Sequence, residues 1–142
     1  MVTSFSLALA QLNPTVGDLS GNARRMGDIA RQAAAEGADL VVYPEMCLTG
    51  YPPEDLVLMP AFREAVMAHA RDLAQATQDL SCDLLFGSLC YDGSHTYNAS
   101  LLASRGELTL VRTKYDLPNY GVFDEKRVFD RGAPPSIMVW RG

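Results

Sequence analysis

Ala38-Asp39-Leu40-Val41-Val42-Tyr43-Pro44-Glu45 is a short apolar run that ends on a proline and a carboxylate. Its hydrophobic residues are continuous rather than alternating, as in a strand buried on both faces. Pro44 cannot continue backbone pairing, so Glu45 is expected where the strand emerges. Upstream, Ala23, Met26, Ile29, Ala30, Ala33 and Ala34 recur at helical spacing from Leu19, with Asp18 or Ser20 to cap the start and Glu36-Gly37 to end it. Before this helix, Phe5 to Leu12 reads as a strand closed by Asn13-Pro14.

Downstream, Pro44 to Met59 reads as an irregular segment, and Pro60 suits the first turn of a second helix. That helix carries Phe62, Val66, His69, Leu73, Ala76 and Leu80 on one face. Cys82 to Leu89 reads as a second buried strand. Tyr97 to Ala103 and Leu108 to Thr113 then read as two strands joined by Ser104-Arg105-Gly106, and Ser136 to Trp140 as the start of another. The order β-α-β-α-β-β-β-β predicts an α/β fold with a mixed sheet and helices on one face. An all-parallel dinucleotide-binding fold fits less well, because the chain has no G-x-G-x-x-G and closes in a meander.

Composition narrows the function. The 142 residues suffice for one domain with a core, and 48% apolar with 20% charged residues is ordinary for a globular protein. A net charge of -5 without clustered cations argues against nucleic acid or an anionic membrane surface. No apolar run approaches the roughly 20 residues of a membrane-spanning helix. The apolar N-terminus lacks the positive flank of a signal peptide. Cys47, Cys82 and Cys90 form neither a C-x-x-C zinc pattern nor an even disulfide set, which fits a reducing cytoplasm.

Glu45 at the end of a buried strand would be partly desolvated, its pKa raised into the range of a general base. The alternative is a loop glutamate that caps the following turn. Lys114 shares side-chain parity with Leu108 and Leu110. If those leucines face the interior the ammonium does too, and Glu45 is its natural partner. The alternative is a surface lysine at a strand end. Tyr51 and Tyr120 suit either substrate contact or loop anchoring. Asp124 and Glu125 suit either a network with Lys114 or a solvated loop with Lys126 and Arg127. Cys47 is tempting as a nucleophile, but a thiol on the same short segment as its base is poorly placed to meet a substrate between them. His69 reads as a packing residue and His95 as a turn residue.

Tyr43-Pro44-Glu45 followed by Leu48-Thr49-Gly50-Tyr51 resembles the glutamate segment of the carbon-nitrogen hydrolase (nitrilase) superfamily. Within it, Gly50-Tyr51-Pro52-Pro53-Glu54-Asp55-Leu56 and Lys114-Tyr115-Asp116-Leu117-Pro118-Asn119-Tyr120-Gly121-Val122-Phe123-Asp124-Glu125 resemble the glutaminase domains of glutamine-dependent NAD(+) synthetases. So does the opening Ala8-Leu9-Ala10-Gln11-Leu12-Asn13-Pro14-Thr15-Val16-Gly17-Asp18. The resemblance implies an α-β-β-α sandwich with a Glu-Lys-Cys triad, in which Glu45 is the base and Lys114 stabilises the oxyanion of the glutamine amide. It places Tyr120 and Tyr51 at the glutamine pocket and Glu125 in support of the triad.

It further implies that ammonia passes to a C-terminal synthetase domain, where ATP with Mg drives amidation of deamido-NAD. Large homo-oligomers are expected. No cysteine follows Lys114, so residues 1–142 are expected to be the first half of the glutaminase domain, inactive alone, with its nucleophile and synthetase domain elsewhere. No cofactor or metal is expected in this segment. The alternatives are a stand-alone amidase of the same superfamily and a non-catalytic assembly module.

Overall fold

The computed structural model describes residues 4–141. Five strands form one sheet in sequence order: β1 (Leu7–Leu9), β2 (Leu40–Val42), β3 (Asp83–Tyr91), β4 (Thr96–Ser104) and β5 (Glu107–Thr113). The first three are parallel and the last three antiparallel, the mixed sheet expected from the sequence. Helix α1 (Leu19–Ala35) links β1 to β2, and α2 (Pro60–Ala76) lies between β2 and β3. A one-turn helix, α3 (Glu125–Val128), lies in the segment after β5.

The helices begin and end for identifiable reasons. Asp18 caps α1, its carboxylate accepting from the Gly21 N–H at 2.9 Å. Gly37, at φ +85°, turns the chain after the C-cap residue Glu36. Pro60 occupies the first turn of α2, where its missing N–H costs no helical hydrogen bond.

Both long helices pack on one face of the sheet. Val41, Leu84, Phe86, Leu101 and Ala103 share that face and are buried with Met26 and Ala30 of α1 and Val66 and Ala70 of α2. Each large apolar side chain so buried contributes about 1.5–3 kcal/mol. Tyr43 belongs to the same face and donates its hydroxyl to the Met26 carbonyl at 2.8 Å. The opposite face carries a row of apolar residues, Leu9, Val42, Leu85 and Leu102, in register across β1 to β4. No helix among the described residues is long and apolar enough to cross a membrane.

Two expectations are corrected. Residues 136–140 form no strand; Ile137 and Val139 are exposed, and no sheet edge pairs with them among the described residues. A strand is stable only with a neighbour to receive its backbone hydrogen bonds. The segment is held instead at its end, where Trp140 Nε1 and Arg141 Nε donate to buried Asp83 at 2.8 and 3.1 Å.

The second correction concerns parity. Leu101 pairs with Leu110, but Ser100 pairs with Arg112, so Val111 is an extra residue in a β-bulge. Leu108 and Leu110 therefore share the helix-covered face with Ala103 and Leu101, while Arg112 and Lys114 emerge on the other face. An ammonium on the helix-covered side would meet apolar packing. The bulge sends Lys114 to the open face.

Gly87 of β3 has an equally direct consequence for position 45. A Cβ there would lie 2.4 Å from the Met46 nitrogen and 2.7 Å from Glu45 Cα. Only a glycine lets the loop after β2 cross so close to the sheet. Gly87→Ala is expected to cost about 1–3 kcal/mol by denaturant titration, since backbone rather than a flexible side chain must yield. Inserting one alanine after Val111 is expected to turn Lys114 onto the helix-covered face. Lysine NMR would then show its titration fall, and a Lys114 signal like the parent's would contradict the role assigned to the bulge.

Candidate active site

Glu45 and Lys114 stand 69 positions apart, and the fold brings them together. The loop after β2 stays against β3, with Gly87 N–H donating to the Pro44 carbonyl and Leu48 N–H to the Gly87 carbonyl, both at 3.3 Å. Met46 then takes a left-handed backbone, φ +50°, just past the carboxylate. Buried Asn22 of α1 secures the loop, donating to the Leu48 carbonyl at 3.0 Å. Lys114 is held from two sides: its N–H donates to the Asn98 carbonyl, and its own carbonyl accepts from Gly132 N–H, each at 2.8 Å.

Lys114 Nζ donates to Glu45 Oε1 at 2.7 Å and to Glu125 Oε1 at 3.0 Å. The two carboxylates differ sharply in environment. Glu125 is only 4% exposed, whereas the Glu45 side chain is 51% exposed. The desolvation expected of Glu45 is therefore not provided by the end of β2. Tyr51 completes the group, its hydroxyl donating to Glu125 Oε1 at 2.9 Å. Glu125 Oε2 is buried without a protein partner among the described residues.

These contacts set the protonation states of the donors. Burial lowers the pKa of Lys114, but its hydrogen bonds to Glu45 and Glu125, and their charges, outweigh it and the net shift is upward. Lys114 is an ammonium at neutral pH. Burial, then the hydrogen bond to Glu125, pushes the Tyr51 phenol up, so it remains a donor. The group thus sets two carboxyl side chains against one ammonium.

Glu45 and Lys114 open onto a cavity of about 340 Å³ on the uncovered sheet face, lined also by Val42, Leu85, Asn98, Ser100 and Arg112. Tyr120 does not join them. It is 70% exposed, meeting the edge of Phe123 at 5.6 Å, and Phe123 in turn lies 6.5 Å from the Tyr51 ring. Asp124 belongs to a surface cluster in which Arg127 also meets Glu54 and Asp55. Asn98 is a neighbour that sequence reasoning missed, donating Nδ2–H to Glu45 Oε1 at 2.6 Å.

None of the three cysteines lies in this group. Cys47, Cys82 and Cys90 are all buried. Burial pushes the Cys47 thiol up to about 11 and raises those of Cys82 and Cys90 as well. A thiol so shifted carries little thiolate at neutral pH.

The unequal burial of the two carboxylates predicts an asymmetry in stability. Lys114→Met strands a buried Glu125 charge and is expected to cost about 3–5 kcal/mol. Glu45→Gln removes one partly exposed partner and is expected to cost less than about 1 kcal/mol. Denaturant unfolding measures both, and equal costs would contradict the burial argument.

Comparison with known proteins bears on this arrangement. The carbon-nitrogen hydrolase family model matches residues 6–139. The glutamine-dependent NAD(+) synthetase of Thermotoga maritima is 44% identical over 126 residues, 89% of this chain and 22% of that protein. The structure of glutamine-dependent NAD+ synthetase from Acinetobacter baumannii superposes with a TM-score of 0.84 at 33% identity, over 97% of this chain and 26% of that one. An amidase from Nesterenkonia sp. gives a TM-score of 0.76 at 26% identity, over 94% of this chain and 51% of that one. The chain thus spans about a quarter of the length of the synthetases it matches. By its sequence and its fold, the chain belongs to the carbon-nitrogen hydrolase family.

Proposed function

We propose that this chain is the first part of the glutaminase domain of a glutamine-dependent NAD(+) synthetase and supplies its base and its oxyanion lysine. The observation that carries the reading is the Lys114 ammonium between Glu45 and Glu125, at the mouth of an open cavity. It is supported by the identity with glutamine-dependent NAD(+) synthetases.

The chemistry follows from the charges. Glu45 accepts the proton of a cysteine thiol, and the thiolate adds to the side-chain amide carbon of glutamine. The carbonyl oxygen becomes an oxyanion, which the Lys114 ammonium stabilises by charge-assisted hydrogen bonding. The intermediate collapses with the proton returned from Glu45 to the leaving nitrogen, releasing ammonia and leaving a glutamyl thioester. Water, deprotonated by Glu45, then hydrolyses the thioester to glutamate. Glu125 and Tyr51 keep Lys114 in place and charged, and Tyr120 belongs to the glutamine pocket.

Cys47, Cys82 and Cys90 do not supply this thiol on this reading: each is buried, and none lines the cavity with Glu45 and Lys114. A mutant of an amidase from Nesterenkonia sp. AN1, a similar structure, shows Michael addition of acrylamide at its active-site cysteine, which suits thiol chemistry on this fold. Ammonia would serve amidation of deamido-NAD in a separate synthetase domain, the part that uses ATP and Mg, in the cytoplasm and within a homo-oligomer. A stand-alone amidase remains the second reading, favoured by the Nesterenkonia likeness but at lower identity than the synthetases.

The test is a chimaera in which this chain replaces the matching segment of the Thermotoga maritima enzyme. Glutamine-supported NAD formation is expected, with a loss of about 10²-fold or more in Lys114→Met or Glu45→Gln. Ammonia-supported formation should persist in both variants, reporting an intact synthetase. Glutamine-supported turnover that survives Glu45→Gln would overturn the assignment. The 142-residue chain alone is expected to release no ammonia from glutamine.

A further inference from the structure

Asn98 makes two contacts that no other described residue combines. Its backbone carbonyl accepts the Lys114 N–H at 2.8 Å, and its side-chain amide donates to Glu45 Oε1 at 2.6 Å. It is 3% exposed on β4, facing the same cavity as both. The base sits on a loop and the lysine at the end of a strand, yet one residue touches both supports.

We propose that Asn98 is the positioning residue that registers Glu45 against Lys114 and decides which carboxylate oxygen of Glu45 does the chemistry. Glu45 Oε1 accepts from Lys114 and from Asn98, so both donors converge on one oxygen. No donor among the described residues reaches Oε2, which leaves its lone pairs free for proton transfer. A half-exposed glutamate has several accessible rotamers, and ordering such a side chain costs conformational entropy. The Asn98 amide, itself immobilised by burial, offsets that cost and keeps Glu45 from swinging toward solvent.

Amide rather than carboxylate is required at position 98. The group already carries Glu45 and Glu125 against Lys114, with Arg112 on the same cavity wall and the Tyr51 hydroxyl on Glu125. A neutral donor adds orientation without a further charge. An aspartate could donate to Glu45 only while protonated, and two carboxyls at hydrogen-bond distance cannot both ionise freely. The role deepens the proposed function, but the contacts themselves exist without turnover.

The experiment therefore uses no substrate. The 142-residue chain, carrying ¹³C-carboxyl Asp and Glu and ¹⁵N lysine, is titrated by NMR as the parent, Asn98→Asp and Asn98→Ala. In Asn98→Asp the introduced carboxyl and Glu45 are expected to titrate as a coupled pair, in two steps separated by more than about one pH unit. The Lys114 resonance should move with both steps. In Asn98→Ala the hydrogen exchange of the Lys114 ammonium is expected to quicken at least several-fold in a chain that still unfolds cooperatively. Asn98→Ser, smaller and neutral, gives the same exchange readout if alanine fails to fold. Independent single-step titrations in Asn98→Asp, or parent-like exchange in the neutral variants, would overturn the proposal. Failure of the chimaera with these titrations intact would strike the glutaminase reading and leave the positioning role standing.

Discussion

The Lys114 ammonium, shared by Glu45 and Glu125, is the contact on which the rest of the site depends. A buried carboxylate such as Glu125 is costly unless a cation compensates it. Lys114 supplies that cation and keeps a second contact for the exposed carboxylate. Three chain segments therefore meet at one nitrogen: the loop after β2, the end of β5 and the start of α3. Tyr51, from the same loop as Glu45, joins indirectly by donating its hydroxyl to Glu125 Oε1. Removing any one carboxylate leaves Lys114 a partner, while removing Lys114 leaves two negative charges facing each other. The lysine is thus the keystone and the carboxylates are its dependants.

The fold delivers this nitrogen through two local departures from regular sheet geometry. The bulge at Val111 reverses side-chain parity, so a strand that turns Leu108 and Leu110 to the helix-covered face presents Arg112 and Lys114 on the opposite face. Bulges of this kind re-aim a side chain at small cost to the ladder. At Gly87 the missing side chain lets the Glu45 backbone pass against β3. Between them these features place Glu45 and Lys114 on the face that the long helices leave open. A cavity of about 340 Å³ opens there, where the proposed nucleophile and amide substrate would approach.

Much of this was legible in the sequence because its signals are local. Asp18 as the cap of α1, Pro60 at the start of α2 and the unalternating Leu40-Val41-Val42 run all act through neighbours in the chain. The pairing of Glu45 with Lys114 also follows from charge, though not from side-chain parity. Strict alternation from Leu108 would have turned the lysine inward, and nothing in Val111-Arg112-Thr113 announces a bulge. Asn98 escaped notice because its role is set by a partner 53 residues away. Gly87 looks like any strand glycine until the crossing loop is seen. Ser136 to Trp140 has the composition of a strand, but composition does not supply the neighbouring edge a strand needs.

The central claim is that one ammonium binds both carboxylates on the open face of the sheet. Through-hydrogen-bond NMR couplings between Lys114 ¹⁵Nζ and the carboxyl carbons of Glu45 and Glu125 test it most directly. The account predicts a resolved coupling to each carboxyl, from an ammonium that titrates above ordinary lysine. Coupling to neither, with Lys114 titrating like a free surface lysine, would contradict it.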